Sequence, residues 1–171
     1  MTIHSEHPFL DPDRDPVRRF RGRLGGAVSL VTAGAGRERA GLTVSSLMVA
    51  HGDPARVLVL LDPDSDLHDV LADDGDGDGR AVVQLLSWRH RQLAEAFAGT
   101  APAPGGPFRT GEFEDTEWGP RLTDAPAWAG VRLETRAEVG WSSLLTCLVE
   151  RVEVGEDDEP LGSRRGRWVR L

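Results

Sequence analysis

One stretch constrains this fold more than any other. Val131-Arg-Leu-Glu-Thr-Arg-Ala-Glu-Val139 alternates Val131, Leu133, Thr135, Ala137 and Val139 with Arg132, Glu134, Arg136 and Glu138. A repeat of two places one set on each face of an extended chain, so the stretch reads as a β-strand with a core face and a face of alternating charge. Those charges would be solvated, or paired across strands or across a dimer. Gly140 and Trp141 lead into a longer apolar strand over residues 144–154.

Further strands are expected at residues 27–33, 39–46, 57–61, 80–86 and 166–171, with turns at 34–36 and 156–159. Helices are few and short. Pro16 opens a segment that sets Val17, Phe20 and Leu24 on one helical face and stops at Gly25-Gly26, a short helix expected to pack on the strands. Asp64 or Ser65 would cap a second, with Leu67, Val70 and Leu71 inward. Residues 88–97 form a third, with Leu93, Ala94 and Phe97 inward. The chain is therefore mainly β. Residues 99–128 are loop-rich yet retain Phe108, Phe113, Trp118 and Trp128, aromatics that would fold over a ligand site, a neighbouring subunit or an open end of the chain's own β-structure.

A chain of 171 residues is one domain, able to bury a core without disulfides or structural metal. Residues 1–15, rich in Pro, Asp and His, read as a flexible arm, leaving residues 16–171 as the folded domain. The net charge of −8 speaks against nucleic acid, which needs clustered positive charge. All twenty basic residues are arginine, so no lysine is present for Schiff-base chemistry. The one cysteine, Cys147, sits among aliphatics and reads as a buried small hydrophobe. No leader pattern or membrane-length apolar run is evident, which points to the cytoplasm and away from membranes.

The chemically richest stretch runs from Gly41 to Pro54. Thr43, Ser45 and Ser46 crowd three hydroxyls into four residues ahead of a Gly-Asp-Pro turn. Hydroxyls and loop N–H groups at that density suit a phosphate or polyol, and the same groups would equally cap their own backbone in a turn. Other motifs fail. Gly34 and Gly36 lead into a strand and lack the G-x-G-x-x-G spacing of a dinucleotide fold. Asp74 opens a D-x-D-x-D-G run whose twelfth position is Leu85 where a calcium loop needs glutamate, so residues 73–79 read as a solvated connector. No nucleophile elbow, zinc set or carboxylate pair appears, and no catalytic or metal-binding residue is assigned. His51 stands at the mouth of the hydroxyl stretch; His90, between two arginines, is expected on the surface, and His68 half-exposed.

In order and spacing, the 27–33 strand, Gly-Leu-Thr-Val-Ser-Ser at 41–46, the turn ending at Pro54, the 57–61 strand, Leu93-Ala-Glu-Ala-Phe-Ala and Pro160-Leu161 resemble the flavin reductase family. The resemblance covers about residues 16–171 and implies a six-stranded antiparallel Greek-key split β-barrel of the FMN-binding type. It further implies FMN, or FAD, held by Thr43, Val44, Ser45 and Ser46 with help from Ser65, and Gln84 in the place of an asparagine whose amide contacts the cofactor. NAD(P)H would be the co-substrate, the assembly a homodimer, and a flavin-dependent monooxygenase the partner. Family members active as reductases show Gly-Asp-His where this chain has Gly140-Trp141-Ser142. Trp141 would stack on the flavin or a substrate, or lie in the dimer interface. The expected activity is NAD(P)H:flavin oxidoreduction; the alternatives are a flavin carrier without catalysis and a split-barrel oxidoreductase acting on another small molecule.

Overall fold

A computed structural model describes residues 15–72 and 78–171. The expected arm lies outside these residues except for Asp15, and the aspartate-rich connector except for Asp78 and Gly79. The α-helices among the described residues are α1 (Pro16–Leu24), α2 (Asp66–Ala72) and α3 (Arg91–Ala98). The strands are β1 (Gly26–Ala27), β2 (Ser29–Ala33), β3 (Ala40–Val44), β4 (Leu47–Ala50), β5 (Arg56–Leu61) and β6 (Arg80–Leu85). They continue as β7 (Phe113–Thr116), β8 (Gly119–Leu122), β9 (Ala127–Val139), β10 (Ser142–Val154), β11 (Leu161–Arg164) and β12 (Arg167–Arg170).

The main sheet is antiparallel throughout and has seven strands, one more than the six expected, in the order β3-β2-β6-β9-β10-β5-β4. The extra strand, β4, was hidden inside the hydroxyl stretch. Its two edges, β3 and β4, are consecutive in the chain and joined only by Ser45 and Ser46. The three steps from Val44 to Leu47 span at most about 11 Å, far less than the width of a flat seven-stranded sheet, so the sheet must curl until its edges meet there. The curl closes a core of Val31, Val57, Val59, Leu61, Leu145 and Cys147 beneath Leu67 and Leu71 of α2.

A smaller sheet, β1-β11-β12, attaches through Val28, whose N–H donates to Leu161 O at 2.8 Å and whose carbonyl accepts from Leu86 N at 3.3 Å. The loop-rich aromatics turn inward on the chain itself. Phe97, Phe108 and Phe113 form an edge-to-face cluster at 4.9–5.9 Å, and the hairpin β7–β8 carries Trp118 onto Trp128 at 6.0 Å. The phenylalanines pack with Leu93 and Leu122, and the two tryptophans with Val82. Gly130 makes the tryptophan contact feasible, since a Cβ there would lie 2.3 Å from the Trp118 ring.

The alternating strand forms as expected, and its charged face pairs across strands: Arg56 donates twice to Glu134, at 2.7 and 2.9 Å, and Arg132 to Glu150 at 2.7 Å. Beyond Leu133, however, both faces of β9 are exposed, because the strand outruns the core. Two sequence expectations are corrected. Val17, Phe20 and Leu24 do not pack on the barrel but stand 72–74% exposed. His90 is buried at 6% because Ser87 N–H donates to its Nδ1 at 3.0 Å and Asp124 lies 3.1 Å from its Nε2. Partial burial raises the Asp124 carboxyl, and hydrogen bonds from His90 and Arg89 more than offset this, holding it below the usual carboxylate range.

Two outcomes are expected. Gly130→Ala should lower unfolding stability in urea by about 1–3 kcal/mol, the usual range for overpacking a filled site. Burial pushes the Cys147 thiol up to about 11, so a thiol-reactive disulfide dye at pH 8 should leave the folded protein unlabelled and modify it once urea unfolds it.

Candidate functional site

The register collects several of the expected residues at one end of the sheet. Ser46 O accepts from Leu60 N at 3.1 Å, and on the other side of β5 Leu60 and Leu61 pair with Leu144 and Ser143. The seam therefore lies two strand spacings, about 10 Å, from the start of β10. Trp141 is the second residue of the tight β9–β10 turn, and only Gly140 there has positive φ (58°), the type II′ pattern. The indole is 76% exposed. From Leu61 the chain passes through Asp62 to Ser65 at the head of α2. Ser45, Ser46, Ser65 and Trp141 thus gather around the end of β5.

The four hydroxyls are not equivalent. Thr43 Oγ1 donates to Ala94 O at 2.7 Å, tying β3 to α3. Ser46 Oγ donates to Leu60 O at 2.9 Å. Ser65 Oγ donates to Asp62 O at 2.7 Å and accepts from His68 N at 3.2 Å, so Ser65, not Asp64, caps α2. A hydroxyl has one proton, and these three direct theirs at carbonyls. Among the described residues Ser45 is exposed and has no internal partner for its hydroxyl. Val44 is buried, and β3, as an edge strand, leaves its outward backbone groups without a neighbouring strand.

Two expected residues lie elsewhere. Gln84 is 0% exposed and its amide is fully engaged: Nε2 donates to Thr32 Oγ1 at 3.0 Å, and Oε1 accepts from Leu122 N at 2.6 Å. It braces β6 against β2 and β8 and has nothing left for a cofactor. His51 follows β4, whose extended run separates it from Ser46 by about 16 Å. It stands at the far end of that strand, away from the seam.

One feature of this end escaped the sequence reading. A groove of about 660 Å³ runs past Trp141, bounded by His68 and Pro63 on one side and by Arg136, Glu138, Ser142 and Ser143 on the other. Arg136 also donates to Ala72 O at 3.2 Å, which fixes β9 to the end of α2. The signal for Arg136 was its place in the alternating strand; what faced it could only come from the fold. The groove offers an exposed aromatic plane, an imidazole, a guanidinium and hydroxyls within one concavity.

The model of the flavin reductase like domain family matches residues 21–171. The chain belongs to the flavin reductase family. Among its relatives, FMN reductase (NADH) RutF 2 of Methylorubrum extorquens is 31% identical over 149 residues, covering 82% of this chain and 81% of that one. The reductase component of 4-hydroxyphenylacetate 3-monooxygenase of Pseudomonas aeruginosa is 24% identical, covering 89% and 88%. Among solved structures, the NADH:FAD oxidoreductase SgcE6 of Streptomyces globisporus superposes with a TM-score of 0.80 at 25% identity, over 95% of this chain and 96% of that one. Flavin reductase PheA2 superposes equally well, with a TM-score of 0.80 at 20% identity over 95% and 99%. The mainly β, curled antiparallel fold is that of flavin reductases.

Replacing Gln84 with Leu should destabilise this flavin reductase fold by about 1–3 kcal/mol, because the Leu122 N–H would be left buried and unpaired. The folded fraction should take up FMN as the parent does. Urea unfolding and a flavin titration on the same sample check both halves.

Proposed function

We propose that this chain is an NAD(P)H:flavin oxidoreductase that holds FMN at the Ser45–Ser46 seam. The observation that carries the reading is the meeting, at one end of a flavin reductase fold, of an uncommitted Ser45 hydroxyl, the open edge of β3 and the exposed Trp141. The residues fit the group: a phosphate needs donors, and Ser45 with outward N–H groups of a strand edge supplies them. Relatives named FMN reductase (NADH) support the choice of flavin and of nicotinamide.

When bound, FMN supplies the two-electron acceptor that takes hydride from NAD(P)H. The chain's own work is placement. Ser45 donates to the phosphate. Ser46 and Ser65, with their protons turned to carbonyls, present lone pairs to ribityl hydroxyls. Thr43 and Val44 act through the backbone of β3, which the Thr43 bond to Ala94 holds rigid. Trp141 offers its face to a planar ring, and the groove beside it admits the nicotinamide between His68 and Arg136. Gln84 and His51 take no part in this arrangement.

The folded unit proposed is residues 16–171, acting in the cytoplasm as a homodimer. An apolar outward face on β4, β5, β9 and β10 supports the second copy: Met48 is 65% exposed, with half-buried Leu58 and Leu144 and exposed Val139 on neighbouring strands. Reduced flavin would pass to an oxygenase. That partner class is supported by the monooxygenase reductase component among the relatives and by BorF, titled the flavin reductase component of a bacterial two-component tryptophan halogenase. Trp141-Ser142, standing where active relatives of the resembled pattern carry Asp-His, favours one second reading, a flavin carrier without turnover.

Purified protein mixed with FMN and either NADH or NADPH should consume the nicotinamide, followed by its absorbance. Turnover at background with both reductants, while FMN still binds, selects the carrier. Ser45→Ala should weaken FMN binding by about 1 kcal/mol or more, and Ser46→Ala by less, since only the first removes a free donor. Equal, unchanged affinities would remove the seam from the site.

A further inference from the structure

Between α1 and the β11–β12 hairpin lies a cleft of about 580 Å³ lined by five arginines, Arg18, Arg19, Arg21, Arg23 and Arg165, and two glycines. All five are exposed, and among the described residues none has a carboxylate partner. Elsewhere on the molecule Arg56, Arg89 and Arg132 each hold one. On a chain of net charge −8, so dense an unneutralised cluster is a local reversal of sign.

Local structure does not call for it. Arg21 and Arg23, in the last turn of α1, suit the negative end of the helix dipole. Arg18 lies in the first turn, where a cation is disfavoured, and Arg19 and Arg23 are like charges four residues apart. Arg165 and Gly166 are the central pair of the hairpin turn, at φ 54° and 69°. Asparagine or glycine is the usual first residue of such a turn, and Arg165 is the one non-glycine residue at positive φ among those described. Its backbone N–H donates to Gly22 O at 2.8 Å, seating the strained turn directly on the helix. Strain and repulsion thus converge on one spot.

The chain leads from the cleft to the seam. Gly26 follows α1 and lies against Ser45, so that a Cβ there would be 3.7 Å from Ser45 O. Arg23 is three residues away, a backbone reach of at most about 10 Å before its side chain is counted. We propose that the arginine cleft is the pyrophosphate subsite for a dinucleotide: it takes the second phosphate of a flavin dinucleotide whose first lies at Ser45, or the pyrophosphate of a nicotinamide dinucleotide bound beside the flavin. Guanidinium groups meet phosphate oxygens bidentately, and several around one pyrophosphate relieve their mutual repulsion. The inference rests on the flavin reading of the seam and extends it to the choice of nucleotide.

The test compares the parent with the R18Q/R21Q/R165N triple variant by calorimetric titration of inorganic pyrophosphate, FMN, FAD and NADH. Asn at 165 accepts the left-handed turn, and an unchanged melting temperature confirms the fold. Pyrophosphate and one or both dinucleotides should bind the variant about tenfold or more weakly, as loss of charge-assisted contacts implies, with FMN altered less than about threefold. A drop for FAD alone identifies the flavin as the source, and one for NADH alone the nicotinamide. A control of equal charge change, R56Q/R132Q/R151Q, should leave all four unchanged. Equal weakening of FMN and FAD, the same losses in the control, or no pyrophosphate binding to the parent overturns the proposal. Pyrophosphate bound at the arginines by a parent that takes up no flavin would overturn the seam reading alone.

Discussion

The two-residue link Ser45-Ser46 is the constraint on which the molecule turns. It joins the outermost strands of a seven-stranded sheet, and no conformation of two residues bridges those edges unless the sheet curls. Curling closes the aliphatic core and brings the end of β5, the head of α2 and the β9–β10 turn to the same place. The link is short, exposed and hydroxyl-bearing.

Rigidity at the seam is supplied from a distance. Thr43 fastens β3 to α3 through Ala94, and α3 is held in turn by Phe97 in its cluster with Phe108 and Phe113. Gln84 locks β6 to Thr32 of β2 and to Leu122 of β8, and His90 clamps Ser87 and Asp124. These buried polar contacts are satisfied in place, and that specifies one arrangement of strands where apolar packing alone would tolerate several. Inside, among the described residues, Arg80 Nε and Ser87 Oγ are left without a hydrogen-bond partner; outside, the fold leaves open the Ser45 hydroxyl, the Trp141 face, the Met48 surface and the arginines of α1.

Much of this was legible in the sequence where the information is local. The alternation at 131–139, the apolar runs at 57–61 and 80–86 and the cap at Ser65 all appear where period and chemistry place them. The strand β4 was not legible, since Leu47-Met-Val-Ala is four residues with no alternation. Overlooking it brought His51 to the wrong end. Gln84 and His90 misled for a common reason: their partners, Leu122 and Asp124, are over thirty residues away, and polar residues look exposed until such partners are known. The face of Val17, Phe20 and Leu24 was correctly periodic, but periodicity names a face and not what covers it. The resemblance to flavin reductases supplied the seam, and the register explains why hydroxyls gather there.

The most direct measurement is a crystal structure of the protein grown with FMN. The account places the phosphate within about 3 Å of the Ser45 hydroxyl and the ring against Trp141. Flavin density at another end of the sheet, with residues 43–46 untouched, would contradict it.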